Sequence, residues 1–212
     1  MRGIWIIAVL ALVAGCDRGR QDAANAPNEE ATVPATQSSS AMSPAPTSAP
    51  SDSPTAVAAD GRVSRYTSLA ACTLVRERPE EAGFAESRCP GLGGYGLRLV
   101  DADARQNLFV EQPGGAVTSL RLSELGGGGF SSIGQSIEWR GAAKGADLAP
   151  DAIILRYNVV ENPTSPGSET SYLIVVSLSG GAPCVTDRIA PGPHQNERAR
   201  TAADDADRAC LP

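Results

Sequence analysis

The sequence predicts an α+β domain, mainly β: an antiparallel sheet of about six strands with a short N-terminal helix, a C-terminal helix and disulfide pins. Three observations point there. Short runs of alternating polarity recur between Gly96 and Arg140. Two continuous apolar runs, Ala152–Tyr157 and Tyr172–Leu178, are rich in β-branched residues, as buried central strands are. The final stretch repeats small residues at helical spacing.

Only part of the 212 residues can belong to that domain. Met1-Arg2 forms a positive n-region, and Ile4 to Val13 forms an apolar run. That run is shorter than the roughly 20 residues a spanning helix needs, so residues 1–15 read as a signal peptide. It ends in Leu12-Val13-Ala14-Gly15-Cys16, which resembles the lipobox of bacterial lipoproteins. The resemblance implies that the preceding peptide is removed and that Cys16 becomes the lipidated first residue of the mature chain. It also implies more than one acyl chain, as stable anchoring requires. Asp17 stands where Asp resembles an inner-membrane retention signal in Gram-negative lipoprotein sorting; inner and outer membrane both stay open.

Residues 16–60 are mostly Ala, Pro, Ser and Thr with scattered acids, as in Ser38-Ser39-Ser40 and Ser43-Pro44-Ala45-Pro46. So few apolar groups cannot offset the conformational entropy of ordering, and the segment reads as a disordered tether. Its reach is roughly 35–40 Å as a coil and about 140 Å fully extended. The remainder, 61–212, is about the size of one ordinary domain.

Within it, Thr67 or Ser68 is placed to cap a short helix over Leu69-Ala70-Ala71-Cys72. Arg76 to Arg88 is charged and interrupted by Pro79 and Gly83, and reads as loop. Strands are expected over Gly96–Val100, Asn107–Glu111, Val117–Leu122 and Ser136–Arg140, followed by the two apolar runs. In Ser136–Arg140 the alternation sets Ile137 and Trp139 against Glu138 and Arg140. Gly126–Gly129, Asn162-Pro163 and Gly180-Gly181 carry turn chemistry. Asn196 is placed to cap the last helix, whose small face is Ala199, Ala202, Ala203, Ala206 and Cys210.

The domain carries Cys72, Cys89, Cys184 and Cys210. Export to an oxidising compartment implies two disulfides, for which three pairings exist. The sequential pairing, Cys72–Cys89 with Cys184–Cys210, is preferred because each bond then ties a helical end to the adjacent strand region.

Tyr66-Thr67-Ser68-Leu69 with Cys72, the segment Cys89 to Tyr95, the strand Ile137 to Arg140 and the closing Ala199-Arg200 together resemble a family of exported alphaproteobacterial proteins of unknown function. The likeness covers most of the domain and implies export, but no activity.

Net charge is −6 with no basic patch, which argues against nucleic acid. Lys144 is the one lysine, and aromatic residues make up 4%, too few for a broad stacking platform. Gly91-Leu92-Gly93-Gly94-Tyr95-Gly96 matches G-x-G-x-x-G. A dinucleotide loop must open a helix, whereas this one precedes a strand, so a glycine turn is expected and no nucleotide. Gly129 to Gly134 departs from the nucleophile-elbow spacing at Ile133. His194, the single histidine, lies in a Pro-Gly loop. No catalytic residue, metal ligand or cofactor is assigned.

One polar group stands out. Glu138, Arg140 and Arg156 fall on one face of neighbouring strands with Trp139 beneath, as a cross-strand ion-pair set or as a recognition patch. The expected role is that of a lipid-anchored cell-envelope protein facing the periplasm, not an enzyme, with a binding or accessory function. Its partners would be the membrane, through the anchor, and an envelope protein. Two alternatives stay open: an inhibitor of an envelope-active hydrolase such as lysozyme, and an envelope hydrolase with a carboxylate site.

Overall fold

The computed structural model describes residues 61–212 apart from 163 and 166. The lipobox with Cys16, Asp17 and the tether lie outside the described residues. In chain order the strands are β1 (Arg62–Ser68), β2 (Thr73–Arg78), β3 (Phe84–Cys89), β4 (Gly96–Ala102), β5 (Arg105–Glu111), β6 (Val117–Ser119), β7 (Ser131–Lys144), β8 (Asp147–Val160), β9 (Glu169–Ser177) and β10 (Cys184–Ile189). Helix α1 (Leu122–Leu125) precedes β7, and α2 (Gln195–Asp204) follows β10.

Strand β7 is the seam. One of its edges pairs with β8 along the hairpin. The other meets β5 in parallel at Ser131 and, further along, pairs antiparallel with β1 from Ser136 to Ala142. The result is a mixed sheet in the order β10-β9-β8-β7-β5-β4-β3-β2, with β1 on β7 and β6 on β5.

The principal core joins Leu97, Leu108 and Val110 of β4 and β5 to Ile137, Trp139, Ile153, Leu155, Ile174 and Val176 of β7 to β9. A second cluster lies on the opposite face of β8 and β9, where Ala152, Ile154, Leu173 and Val175 meet Ala199, Ala202 and Ala203 of α2. This explains the continuous apolar runs. Both faces of β8 and β9 are buried, one by the core and one by the helix, so neither face needs polar residues.

Several expectations change. Among the described residues the sheet has ten strands, not six, and is mixed rather than antiparallel, through the parallel β5–β7 contact. The expected N-terminal helix is a three-residue 3-10 turn, Leu69–Ala71, in which Ser68 accepts a bond from the Ala70 amide at 3.1 Å. Cys72 leaves that turn in extended conformation to begin β2, which stops the helix after one turn. The charged stretch Arg76 to Arg88 belongs to the β2–β3 hairpin; Pro79 and Gly83 form its turn, where the Gly83 amide donates to the Pro79 carbonyl. The expected strand Val117–Leu122 stops at Ser119, and Leu122 opens α1. Helix α2 starts after His194 rather than at Asn196 and ends before Ala206 and Cys210.

Both disulfides follow the sequential pairing. Cys72–Cys89 closes the open end of the β2–β3 hairpin, one residue beyond the Thr73–Arg88 pair. Cys184–Cys210 ties the tail after α2 to the first residue of β10, and the Leu211 amide adds a bond to the Val185 carbonyl.

Candidate functional site: a glycine saddle between two clefts

The loop from Cys89 to Gly96 is shaped by its glycines. Gly93 and Gly94 take left-handed backbone angles of +63° and +85°, which side chains disfavour. A Cβ on Gly93 would also stand 2.3 Å from Pro150 Cδ, and one on Gly91 would stand 2.2 Å from the Tyr95 carbonyl oxygen. The loop therefore lies directly against the start of β8. Tyr95 fixes it to the core: its ring packs against Trp139 at 6.3 Å between centroids, and its hydroxyl donates to the Leu178 carbonyl at 3.3 Å.

A cleft opens on each side of this saddle. The first, about 760 Å³, is lined among others by Arg65, Tyr66, Leu92, Pro113, Lys144 and Pro150. The second, about 530 Å³, is lined by Arg88, Arg98, Glu111, Gln112 and Val117. Gly94 and Tyr95 line both, so the two meet as one groove across the saddle.

Cations rim each cleft. Arg88 and Arg98 sit opposite each other in the β3–β4 register, an arrangement that costs stability unless an anion lies between. Glu111 partly fills that role, at 3.2 Å from Arg98 and 3.6 Å from Arg88. Arg98 is further held by Glu86, which also takes Arg76 at 2.6 Å. Burial pushes the Glu86 carboxyl up, but hydrogen bonds from Arg98 and Arg76 outweigh it and hold the group below the usual carboxylate range. Arg88 is the looser partner, its side chain 67% exposed. The first cleft reaches β1 at Arg65 and Tyr66, and Tyr66 is 47% exposed. Among the described residues β1 pairs only with β7, so its far edge has no strand partner there. The groove thus offers cationic side chains around a backbone floor, which suits it to holding an anionic ligand.

The residues singled out from sequence lie elsewhere. Trp139 is fully buried in the core and donates its indole N–H to Thr67 Oγ1 at 2.9 Å. Glu138 and Arg140 face α2, and Arg140 is 4% exposed. The Glu138 carboxylate accepts from Ser64, Arg140 and Arg200; burial pushes it up, but Arg200 and Ser64, with the nearby arginine charges, hold it below its ordinary range. Arg156 is engaged apart from them, with Ser171 at 2.9 Å and Gln195 at 3.5 Å. The four do not meet as one open surface, because α2 lies over the polar ones and Trp139 points the other way. His194 stands before α2 with its Nδ1 2.8 Å from Glu197. Ser131, from the elbow-like stretch, is buried and accepts from the Tyr157 hydroxyl at 2.8 Å.

Arg65, Arg88 and Arg98 carry no motif that marks them in the sequence, and Tyr95 stands there only within the glycine segment. The sequence signal at this place is the glycine spacing, whose cause is close backbone packing against Pro150 and Tyr95. Compared with protein-family models, with curated proteins and with solved structures, the chain matches none.

Proposed function

We propose that the chain is a lipid-anchored protein of the bacterial cell envelope whose β domain faces the periplasm and binds a partner in the groove over the glycine saddle. The observation that carries the binding role is the meeting of two cation-rimmed clefts at Gly94 and Tyr95. The lipobox-like Leu12–Cys16 supports the anchor, and two disulfides in the domain are compatible with an exported protein. A tether of the composition seen in residues 16–60 would let the groove stand clear of the lipid head groups.

The test has two arms. Metabolic labelling with a fatty-acid probe should mark the native chain and lose the label in Cys16→Ser. A photo-crosslinking residue placed at Pro113, on the groove, should capture a defined envelope component, whereas the same residue at Thr164, away from it, should not. A labelled Cys16→Ser chain would remove the anchor; equal capture from both positions would remove the groove.

A further inference from the structure

We infer that the second cleft receives the carboxy-terminus of a peptide whose last side chain is apolar, its carboxylate taken between Arg88 and Arg98 above Gly96. The inference rests on the binding role proposed above and names the group that is bound.

The sheet register builds the seat. Arg88 of β3 stands opposite Arg98 of β4, Gly96 stands opposite Glu111 of β5, and Glu111 stands opposite Val117 of β6. Gly96 and Arg98 are two residues apart on one strand, so all five positions lie on the same face. All five line the second cleft, and Gly96 alone brings no side chain to it. The Glu111 carboxylate leans over that bare position, for a Cβ on Gly96 would stand 3.0 Å from Glu111 Oε2. From there it reaches both guanidiniums, Arg98 at 3.2 Å and Arg88 at 3.6 Å. The chain thus shows with its own side chain which group these arginines accept.

Charge sets the kind of anion. In this cluster Arg76, Arg88 and Arg98 meet Glu86 and Glu111, so one positive charge is left over. It belongs to Arg88. Arg76 has Glu86 at 2.6 Å and Arg98 has both carboxylates, whereas the 3.6 Å contact of Arg88 is too long for a hydrogen bond. A carboxylate brings the single charge that closes the balance. A phosphate monoester, nearer to two charges, would exceed it beside Glu111.

The wall of the cleft sets the rest of the ligand. Val117 is exposed there, one strand beyond Glu111. In a terminal residue the carboxylate and the side chain share one carbon, so an apolar side chain can lie on Val117 while the carboxylate meets the arginines. An acidic sugar would turn hydroxyls to the same surface. The Tyr95 hydroxyl is spent on the Leu178 carbonyl and the Gln112 amide is turned to the Gly181 carbonyl, which leaves the guanidiniums to receive the anion.

The experiment measures fluorescence anisotropy of amino-terminally labelled Gly-Ser hexapeptides on the purified full chain: one ending in Val as the free acid, the same peptide as the carboxy-terminal amide, and a free acid ending in Ser. The Val-ended acid should bind saturably, with the amide at least about tenfold weaker and the Ser-ended acid about threefold weaker. Arg88→Gln should weaken the Val-ended acid about tenfold with melting temperature unchanged, since its side chain is largely exposed. Glu111→Gln should tighten it about threefold, because the chain's own carboxylate no longer competes for the arginines. Val117→Ser should erase the preference for Val over Ser. Equal binding of acid and amide, or no saturable binding up to about 1 mM, would overturn the inference. So would weaker binding to Glu111→Gln at an unchanged melting temperature; if that variant melts lower, Arg88→Gln decides alone. Displacement by glucuronate or inorganic phosphate as readily as by unlabelled Val-ended acid would overturn the peptide in favour of a bare anion. A chain that crosslinks at Pro113 yet binds acid and amide alike keeps the binding role and loses this inference, whereas failure of the Pro113 crosslink removes the role itself.

Discussion

Arg140 and Asp204 form a two-point ion pair, 2.8 Å from Nε to Oδ1 and 2.6 Å from Nη2 to Oδ2, that clamps the end of α2 to β7. Asp204 lies in the last turn of the helix, where a negative charge opposes the helix dipole. Two guanidinium groups compensate, for Arg62 reaches the same Oδ1 at 2.7 Å while also pairing with Asp151. Removing the carboxylate would leave Arg140 buried without its main partner. Asp204→Ala should therefore lower stability by about 3 kcal/mol, or roughly 10 °C in melting temperature for a domain of this size. Glu124→Ala, which removes an exposed pair with Arg121, should leave the melt unchanged. Thermal denaturation of the two variants side by side checks the contrast, and equal melts would deny the clamp.

The same network sets a pH dependence. Both Glu138 and Asp204 are pushed up by burial and pulled further down by their arginines, Glu138 also by Ser64, so the folded values lie below those of the free side chains. A depressed carboxylate contributes stability that is complete above its unfolded pKa, about 4 for these groups, and is lost as pH falls through the folded value. The melting temperature should therefore hold level above about pH 5 and decline progressively below about pH 4. In Asp204→Asn the decline should be shallower. Melts between pH 3 and pH 7 decide it, and a native protein that gains stability on acidification would contradict the sign.

The covalent tie beyond the helix acts on the same element. Cys184 and Cys210 are 26 residues apart, which in the chain-entropy model is worth about 3.5 kcal/mol. The bond between Cys72 and Cys89, 17 residues apart, is worth about 3 kcal/mol by the same account. Cys184→Ser with Cys210→Ser should speed hydrogen exchange first in α2 and the tail, since the buried apolar contacts of the helix come from small alanines. Cys72→Ser with Cys89→Ser should loosen the β2–β3 hairpin instead. Exchange mapped by peptide separates the two, and protection lost uniformly in both variants would count against local tethering.

What was legible in the sequence follows from burial. Strands β8 and β9 announced themselves because both faces are covered, and the central part of β7 because one face meets the core and the other the ion network. Strand β2 was hidden because it is an exposed edge, with Leu74 and Val75 bared beside Arg76 and Arg78, so alternation carries no information there. Pro79 and Gly83 looked like breaks in a loop because they are the turn of a hairpin. Glu138 and Arg140 could be placed on one strand face, but their true partners, Arg200 and Asp204, lie more than sixty residues away in sequence. The groove was illegible for the same reason: β1, the saddle, the turn at Pro113 and the β7–β8 hairpin come together only through tertiary structure.

The saddle itself supplies the sharpest local test. Gly93 combines a backbone angle of +63° with a Cβ position only 2.3 Å from Pro150 Cδ, so alanine there meets both strain and a clash with a ring that cannot rotate away. The angle alone costs about 1 kcal/mol. Displacing the loop from Pro150 adds to it, through the contacts that Tyr95 makes with Trp139 and Leu178. Gly93→Ala should destabilise the domain by about 2–3 kcal/mol. Gly145, whose Cβ would meet nothing within 4 Å at a backbone angle of +62°, pays only the backbone part. Gly145→Ala should then cost about 1 kcal/mol. Adding Pro150→Ala to Gly93→Ala should recover part of the loss, because the double change opens the space the methyl needs. Urea denaturation of the native chain, Gly93→Ala, Pro150→Ala and the double variant gives the coupling directly, and strictly additive effects would show that Gly93 and Pro150 do not press on each other.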